Sequence, residues 1–113
     1  MSQLSRGEIW FLNLNPARGH EQAGIRPALI VSVNMFNQGP AGLVVVLPIT
    51  TKDKKIPLHV KVTPPEGGLT DISFIKCEDV RSVSTERLLK RLGSIETSTL
   101  VIVEDKLRIL MGL

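Results

Sequence analysis

Residues 28–33 read Ala28-Leu29-Ile30-Val31-Ser32-Val33, and residues 43–47 repeat the character as Leu43-Val44-Val45-Val46-Leu47. Both runs are short and rich in β-branched residues, and each follows directly on a Pro or Gly, so they read as strands. Neither alternates apolar with polar residues, as a strand with one wet face must. They are therefore predicted to be central strands, covered on both sides. Working outward, Glu8–Leu14 is a first strand stopped by Asn15-Pro16. Leu58–Val62 does alternate, which predicts one exposed face and puts His59 on it as a surface residue. The turn Pro64-Pro65-Glu66-Gly67-Gly68 leads to further strands at Ile72–Cys77 and Arg81–Val83.

Helical spacing appears only late in the chain. Thr97-Ser98-Thr99 offers capping oxygens, and Leu100, Val103, Leu107, Leu110 and Met111 then form a stripe that needs cover. A shorter helix is predicted over Thr85–Lys90, ended before Gly93. Strands first and helices last give an α+β fold, mainly β: a small, curved, mostly antiparallel sheet or SH3-like barrel with a C-terminal helix. No linker or repeat divides the 113 residues, so residues 1–113 read as a single domain.

A chain of this length buries enough surface to hold a core without metal or disulfides, and its one cysteine, Cys77, has no partner in the chain. That excludes a disulfide scaffold and fits a reducing cytosol. No apolar run approaches the roughly 20 residues needed to span a bilayer, and the first residues do not read as a signal peptide, so the expected compartment is the cytoplasm. The formal charge of +3 is unevenly spread. Residues 1–62 hold seven basic groups (Arg6, Arg18, Arg26, Lys52, Lys54, Lys55, Lys61) against three acidic ones, whereas residues 63–113 are close to neutral. A basic half suits a polyanion, and equally an ordinary solvated surface.

Three segments carry candidate chemistry. Arg18–Pro27 is a long polar loop between two strands, and loops of that kind are uncommon unless functional. Pro27 keeps Arg26 extended at the mouth of a central strand, where its fork of five donors suits phosphodiester oxygens or a pairing with Glu21. Thr50 and Thr51 end the third strand beside Lys52, Lys54 and Lys55, a set of donors and charges for a nucleic-acid backbone or a solvated turn. Lys76 and Glu78 share a face if their strand continues, as a working pair or a simple ion pair. No phosphate-cradling Gly-rich loop, metal-spaced Cys/His pair or nucleophile elbow is present.

Arg6-Gly7-Glu8-Ile9-Trp10, Gly19-His20-Glu21-Gln22 through Arg26-Pro27, Pro48-Ile49-Thr50 and Lys76-Cys77-Glu78 together resemble the MazF/PemK (Kid) family of toxins from bacterial toxin-antitoxin systems. The likeness runs in order over nearly the whole chain. It implies a homodimer with the C-terminal helix at or near the contact. It also implies a metal-independent endoribonuclease, without cofactor, that cuts single-stranded RNA, chiefly mRNA, and is neutralised by a cognate antitoxin. The resemblance sets Arg26 on the family's catalytic arginine and Thr50 on its catalytic Thr or Ser. His20, Glu21 and Gln22 fall in the loop that lines the cleft, with Thr51, Lys52, Lys54 and Lys76 as RNA-binding candidates. Lys76 and Glu78 stand where the Kid branch has Arg and Asp, and Glu21 and Glu78 are the candidate acid-base carboxylates. A related fold, the CcdB gyrase poison, acts by protein binding and needs a Trp near its end, where this chain has Met111-Gly112-Leu113. A catalytically silent RNA-binding relative is a further reading.

Overall fold

The computed structural model describes residues 3–15 and 24–113. Its seven strands are β1 (Glu8–Asn13), β2 (Ile25–Ile30), β3 (Leu43–Thr50), β4 (His59–Val62), β5 (Ser73–Lys76), β6 (Arg81–Ser84) and β7 (Leu88–Ser94). A short helix α1 (Asn34–Asn37) follows β2, and α2 (Thr97–Met111) closes the chain. Pairing is antiparallel throughout, in the order β4-β5-β3-β2-β1-β7. β6 lies off that path, against β3. The edge of β3 away from β2 therefore changes partner, from β6 over Leu43–Val46 to β5 over Ile49–Thr50.

Alternation along the central strands feeds two cores. Ile9, Leu29, Leu47 and Ile49 turn to one face, where they meet Val60, Val62, Ile75 and Val103 of α2. Trp10, Leu12, Ala28, Ile30, Val44 and Val46 turn to the other, with Val83. This is the two-sided burial predicted from the unbroken apolar runs.

Tertiary pairing moved several boundaries. β2 starts before Ala28 and stops at Ile30, because the extended Arg26-Pro27 pair already lies alongside β1. β3 runs past Leu47 through Pro48 to Thr50. The helix expected over Thr85–Lys90 is instead a 3-10 turn, Thr85–Arg87, leading into β7. Ser84 Oγ accepts from the Glu86 N–H at 3.2 Å and sets that turn, after which the open edge of β1 recruits the chain as a strand. Gly93, expected to end a helix, lies in β7 and passes so close to the turn at Gly67 that a Cβ on it would sit 2.7 Å from the Gly67 carbonyl carbon. Thr97-Ser98-Thr99 lies inside α2 rather than capping it; Glu96 holds the N-cap position without a side-chain bond, and Gly112 ends the helix in the left-handed region.

The opening Arg6-Gly7-Glu8-Ile9-Trp10 motif proves to be a clamp. Arg6 donates to the Val31 carbonyl at 2.9 Å and pairs with Glu104 of α2 at 2.6 Å. Gly7 exchanges backbone bonds with Ile30 and Ile95, in a conformation with φ 93° that suits glycine. Glu8 accepts from the Ser5 N–H, from Trp10 Nε1 at 3.1 Å and from Arg91 at 2.7 Å.

Candidate functional site

Register decides which side chains meet. β2 and β3 pair Ala28 with Pro48 and Ile30 with Val46; continued by two residues, the same register sets Arg26 across from Thr50. Thr50 in turn pairs with Phe74, and Phe74 with Lys61. Alternation puts all four on the face opposite Ile49, Ile75, Val60 and Val62, which are buried in the larger core. Thr50, Phe74 and Lys61 thus form one row across β3, β5 and β4, and Arg26 lies two residues beyond the last β2–β3 pair at the same sheet end; Arg26 and Lys61 are exposed.

The two residues on which the chemistry was expected to turn stand at this end of the sheet. Arg26 is exposed and has no bonding partner among the described residues. Thr50 Oγ1 accepts from the Lys52 N–H at 3.2 Å, which leaves the hydroxyl hydrogen to be given to another acceptor.

One step inward along the same face, His59 pairs with Lys76 across β4 and β5. The expected shared face of Lys76 and Glu78 is not formed, because β5 ends at Lys76 and Cys77–Asp79 coil into a 3-10 turn. Lys76, 7% exposed, reaches Asp79 instead at 3.6 Å, and Arg81 meets the same carboxylate at 3.0 Å. Glu78 turns to His59, 2.8 Å from Nε2. The prediction of a surface histidine therefore fails: the His59 side chain is 3% exposed, enclosed by the turn that carries Glu78. His59 Nδ1 and Glu78 Oε1 are buried without hydrogen-bond partners among the described residues. Cys77, between them, faces the larger core, and burial, reinforced by the Glu78 charge, pushes its thiol up to about 11.

Beyond β3 the two threonines part company. Thr51 lines a cavity of about 190 Å³ on the other side of the sheet end, with Phe11, Pro27, Leu69, Asp71 and Leu92 among its walls. Lys52, Lys54 and Lys55 are exposed along the following loop. Asp53 is held below its ordinary value, first by the hydrogen bonds from Lys55 and also by the charge of Lys61. His20, Glu21 and Gln22 lie outside the described residues. Among the described residues no group of three or more His, Cys, Asp or Glu is placed to hold a metal ion. Sequence reasoning assigned no site role to Phe74, Lys61, Asp79 or Arg81, and read His59 as a surface strand residue. The period-2 pattern around His59-Val60-Lys61-Val62 was the available signal, but only the register joins it to Thr50.

Known proteins resemble this chain in sequence and fold. The family model for the PemK-like, MazF-like toxin of type II toxin-antitoxin systems matches residues 5–111. Endoribonuclease MazF9 of Mycobacterium tuberculosis is 33% identical over 115 residues, spanning 97% of this chain and 98% of that protein. The crystal structure of MazF (Form-I) from Deinococcus radiodurans matches with a TM-score of 0.88 at 30% identity, covering 100% of both chains. A chain of the MazE-MazF crystal structure (Form-II) from the same organism matches with a TM-score of 0.81 at 30% identity, over 100% of this chain and 99% of that one.

Proposed function

Since the chain belongs to the PemK-like, MazF-like toxins of type II toxin-antitoxin systems, we propose that it is an endoribonuclease that cuts single-stranded RNA, mainly mRNA, at short specific sequences without a metal or other cofactor. The observation that carries this reading is that antiparallel β2 and β3 set Arg26 and Thr50 at the same end of the sheet, with Arg26 exposed and Thr50 keeping a hydroxyl hydrogen to give. In the reaction, a ribose 2′-oxygen attacks the adjacent phosphorus. The O2′–P bond forms, the P–O5′ bond breaks with its electron pair passing to O5′, and that oxygen takes up a proton. The products are a 2′,3′-cyclic phosphate, or a 3′-phosphate after hydrolysis, and a 5′-OH. Arg26 balances the charge of the pentacovalent phosphorus and delivers the proton to O5′, while Thr50 donates to a nonbridging oxygen. Fixed donors of this kind, aimed where charge develops, are each worth about 10² to 10³ in rate. Glu21 and Glu78 are the carboxylates proposed to accept the 2′-OH proton.

The action is placed in the cytoplasm, where Cys77 stays reduced. A cognate antitoxin neutralises the protein, a reading supported by the MazE-MazF complex of a relative 30% identical over the whole chain. Acidic residues on the antitoxin suit the exposed Arg26 and the lysines after β3. The active form is a homodimer. One experiment tests the chemistry: cleavage of an RNA oligonucleotide and of its fully 2′-O-methylated copy, with and without EDTA, by the wild type and by Arg26→Ala. Cleavage of the ribose substrate alone, unaffected by EDTA and lowered about 10²-fold or more in Arg26→Ala, is expected. Cutting of the methylated copy, loss of activity with EDTA, or a fully active Arg26→Ala overturns the mechanism.

A further inference from the structure

Arg87 is the last residue of the 3-10 turn that leads into β7, and its side chain crosses to the end of β1. One nitrogen, Nη1, donates to two main-chain carbonyls, that of Asn13 at 3.2 Å and that of Asn15. β1 and β7 pair no further than Leu12 and Leu88. Past that point the guanidinium supplies the donor that the strand ladder no longer offers. What leans on this strand end is the start of β2. Ile25, Arg26 and Pro27 pair with Asn13, Leu12 and Phe11 of β1, whereas β2 pairs with β3 only from Ala28 onward. Pro27 has no N–H to give to either side. Two bonds fasten the chain just before β2 to the same place: the Leu14 N–H donates to the Gly24 carbonyl at 2.9 Å, and the Gly24 N–H donates to Asn15 Oδ1 at 3.0 Å. The segment Asn13–Asn15 therefore bonds to Arg87 on one side and to Gly24–Arg26 on the other.

We infer that Arg87 is a positioning residue for Arg26: by bonding the Asn13 and Asn15 carbonyls it fixes the end of β1, and through it the backbone from which the Arg26 guanidinium meets the phosphate. The inference rests on the ribonuclease reading of Arg26 and adds a residue that acts from the far side of β1. Arg26 needs such support. Its side chain is exposed and has no bonding partner among the described residues, so its place is set by its backbone, and that backbone is held along one flank. Arginine suits the task, because a hydrogen bond from a charged donor is stronger than a neutral one and a guanidinium keeps its charge at any working pH. The anchor is a surface contact of little weight for the whole fold, since Asn13 and Asn15 are exposed and Arg87 is only half-buried. For the reaction it matters more: a misplacement of about 1 Å at a reacting group costs on the order of 10²-fold in rate.

The test compares cleavage of a single-stranded RNA oligonucleotide by the wild type, Arg87→Ala, Arg87→Lys, Arg26→Ala and the double variant Arg87→Ala with Arg26→Ala. Amide hydrogen exchange is measured on the wild type and Arg87→Ala. Arg87→Ala is expected to lower kcat about 10- to 100-fold, with little change in KM. Arg87→Lys, whose ammonium can also serve two carbonyls from one nitrogen, recovers part of that loss. Without Arg26 there is nothing left to position, so the double variant is no slower than Arg26→Ala. Exchange at the Leu14 and Gly24 amides quickens about 10-fold in Arg87→Ala, while the Val31 amide, bonded to the Val45 carbonyl within the sheet, exchanges as before. Unchanged kcat in Arg87→Ala, a full further loss in the double variant, or unchanged exchange at Leu14 overturns the assignment. Faster exchange at Val31 as well also overturns it, because Arg87 would then hold up the whole fold. A wild type that cuts no RNA sinks the ribonuclease reading, and the exchange pattern alone then decides whether Arg87 anchors the Arg26 backbone.

Discussion

Glu8 shows how much one enclosed side chain can be asked to hold. Burial pushes its carboxyl up, but the Ser5 N–H, Arg91 and Trp10 bonds outweigh that and keep it below its ordinary value of 4.5. A group whose folded value is depressed stabilises the fold above the unfolded value, and that contribution is lost as pH falls through the folded one. Glu8→Gln is therefore expected to lose about 1–2 kcal/mol at pH 7. It should also flatten the decline in stability below pH 4.5. Urea unfolding at pH 7 and pH 3 checks both; an unchanged acid slope would remove Glu8 from the account. At this scale the sequence was informative where a neighbour constrains the backbone, as Pro27 does for Arg26. It was silent on partners: nothing local says that Glu78 meets His59 and Lys76 meets Asp79, because a 3-10 turn breaks the period on which the face was argued.

Among the elements, the unbroken apolar runs of β2 and β3 announced their central place, since a strand buried on both faces carries that fact in every residue. β7 did not. Its Leu88-Leu89-Lys90-Arg91-Leu92-Gly93-Ser94 mixes basic and apolar residues without alternation, and its register with β1 shifts twice. Its partner lies about 80 residues away, beyond any local pattern. What seals β7 is a close approach of backbones at the Gly67-Gly68 turn. A Cβ on Gly68 would fall 2.1 Å from the Leu92 carbonyl oxygen, and Gly68 has φ 75°. Backbone atoms cannot rotate out of the way as a side-chain end does. Gly68→Ala is expected to cost about 2–4 kcal/mol, from overpacking and left-handed strain together. Thermal unfolding measures it, and a loss below about 1 kcal/mol would mean that the turn yields.

For the molecule as a whole, the predicted stripe of α2 is only half used. Val103 is buried and Leu107 packs on the larger core, but Leu110 and Met111 remain exposed, and Ile109 is 71% exposed. Val101, Ile102 and Leu113 add to this apolar surface. A patch of that kind marks an interaction surface, and the proposed homodimer covers it. Sedimentation is expected to give twice the 12.4 kDa chain mass, with Ile109→Glu shifting the protein towards the single chain at the same concentration. A wild type that stays monomeric at high micromolar concentration would count against it. The charge asymmetry read from composition is also visible at the surface: Arg26, Lys61 and Lys52, Lys54 and Lys55 of the loop that follows β3 are all exposed.

The clamp between Arg6 and Glu104 and the pairing of β1 with β7 tie the first strand to the last two elements. During synthesis β7 and α2 are made after β1, so β1 waits beside an open edge and the larger core lacks Val103 until they have emerged. A nascent chain that has not yet exposed α2 has not assembled its finished sheet, and the activity proposed for the protein belongs to chains in which both elements are in place.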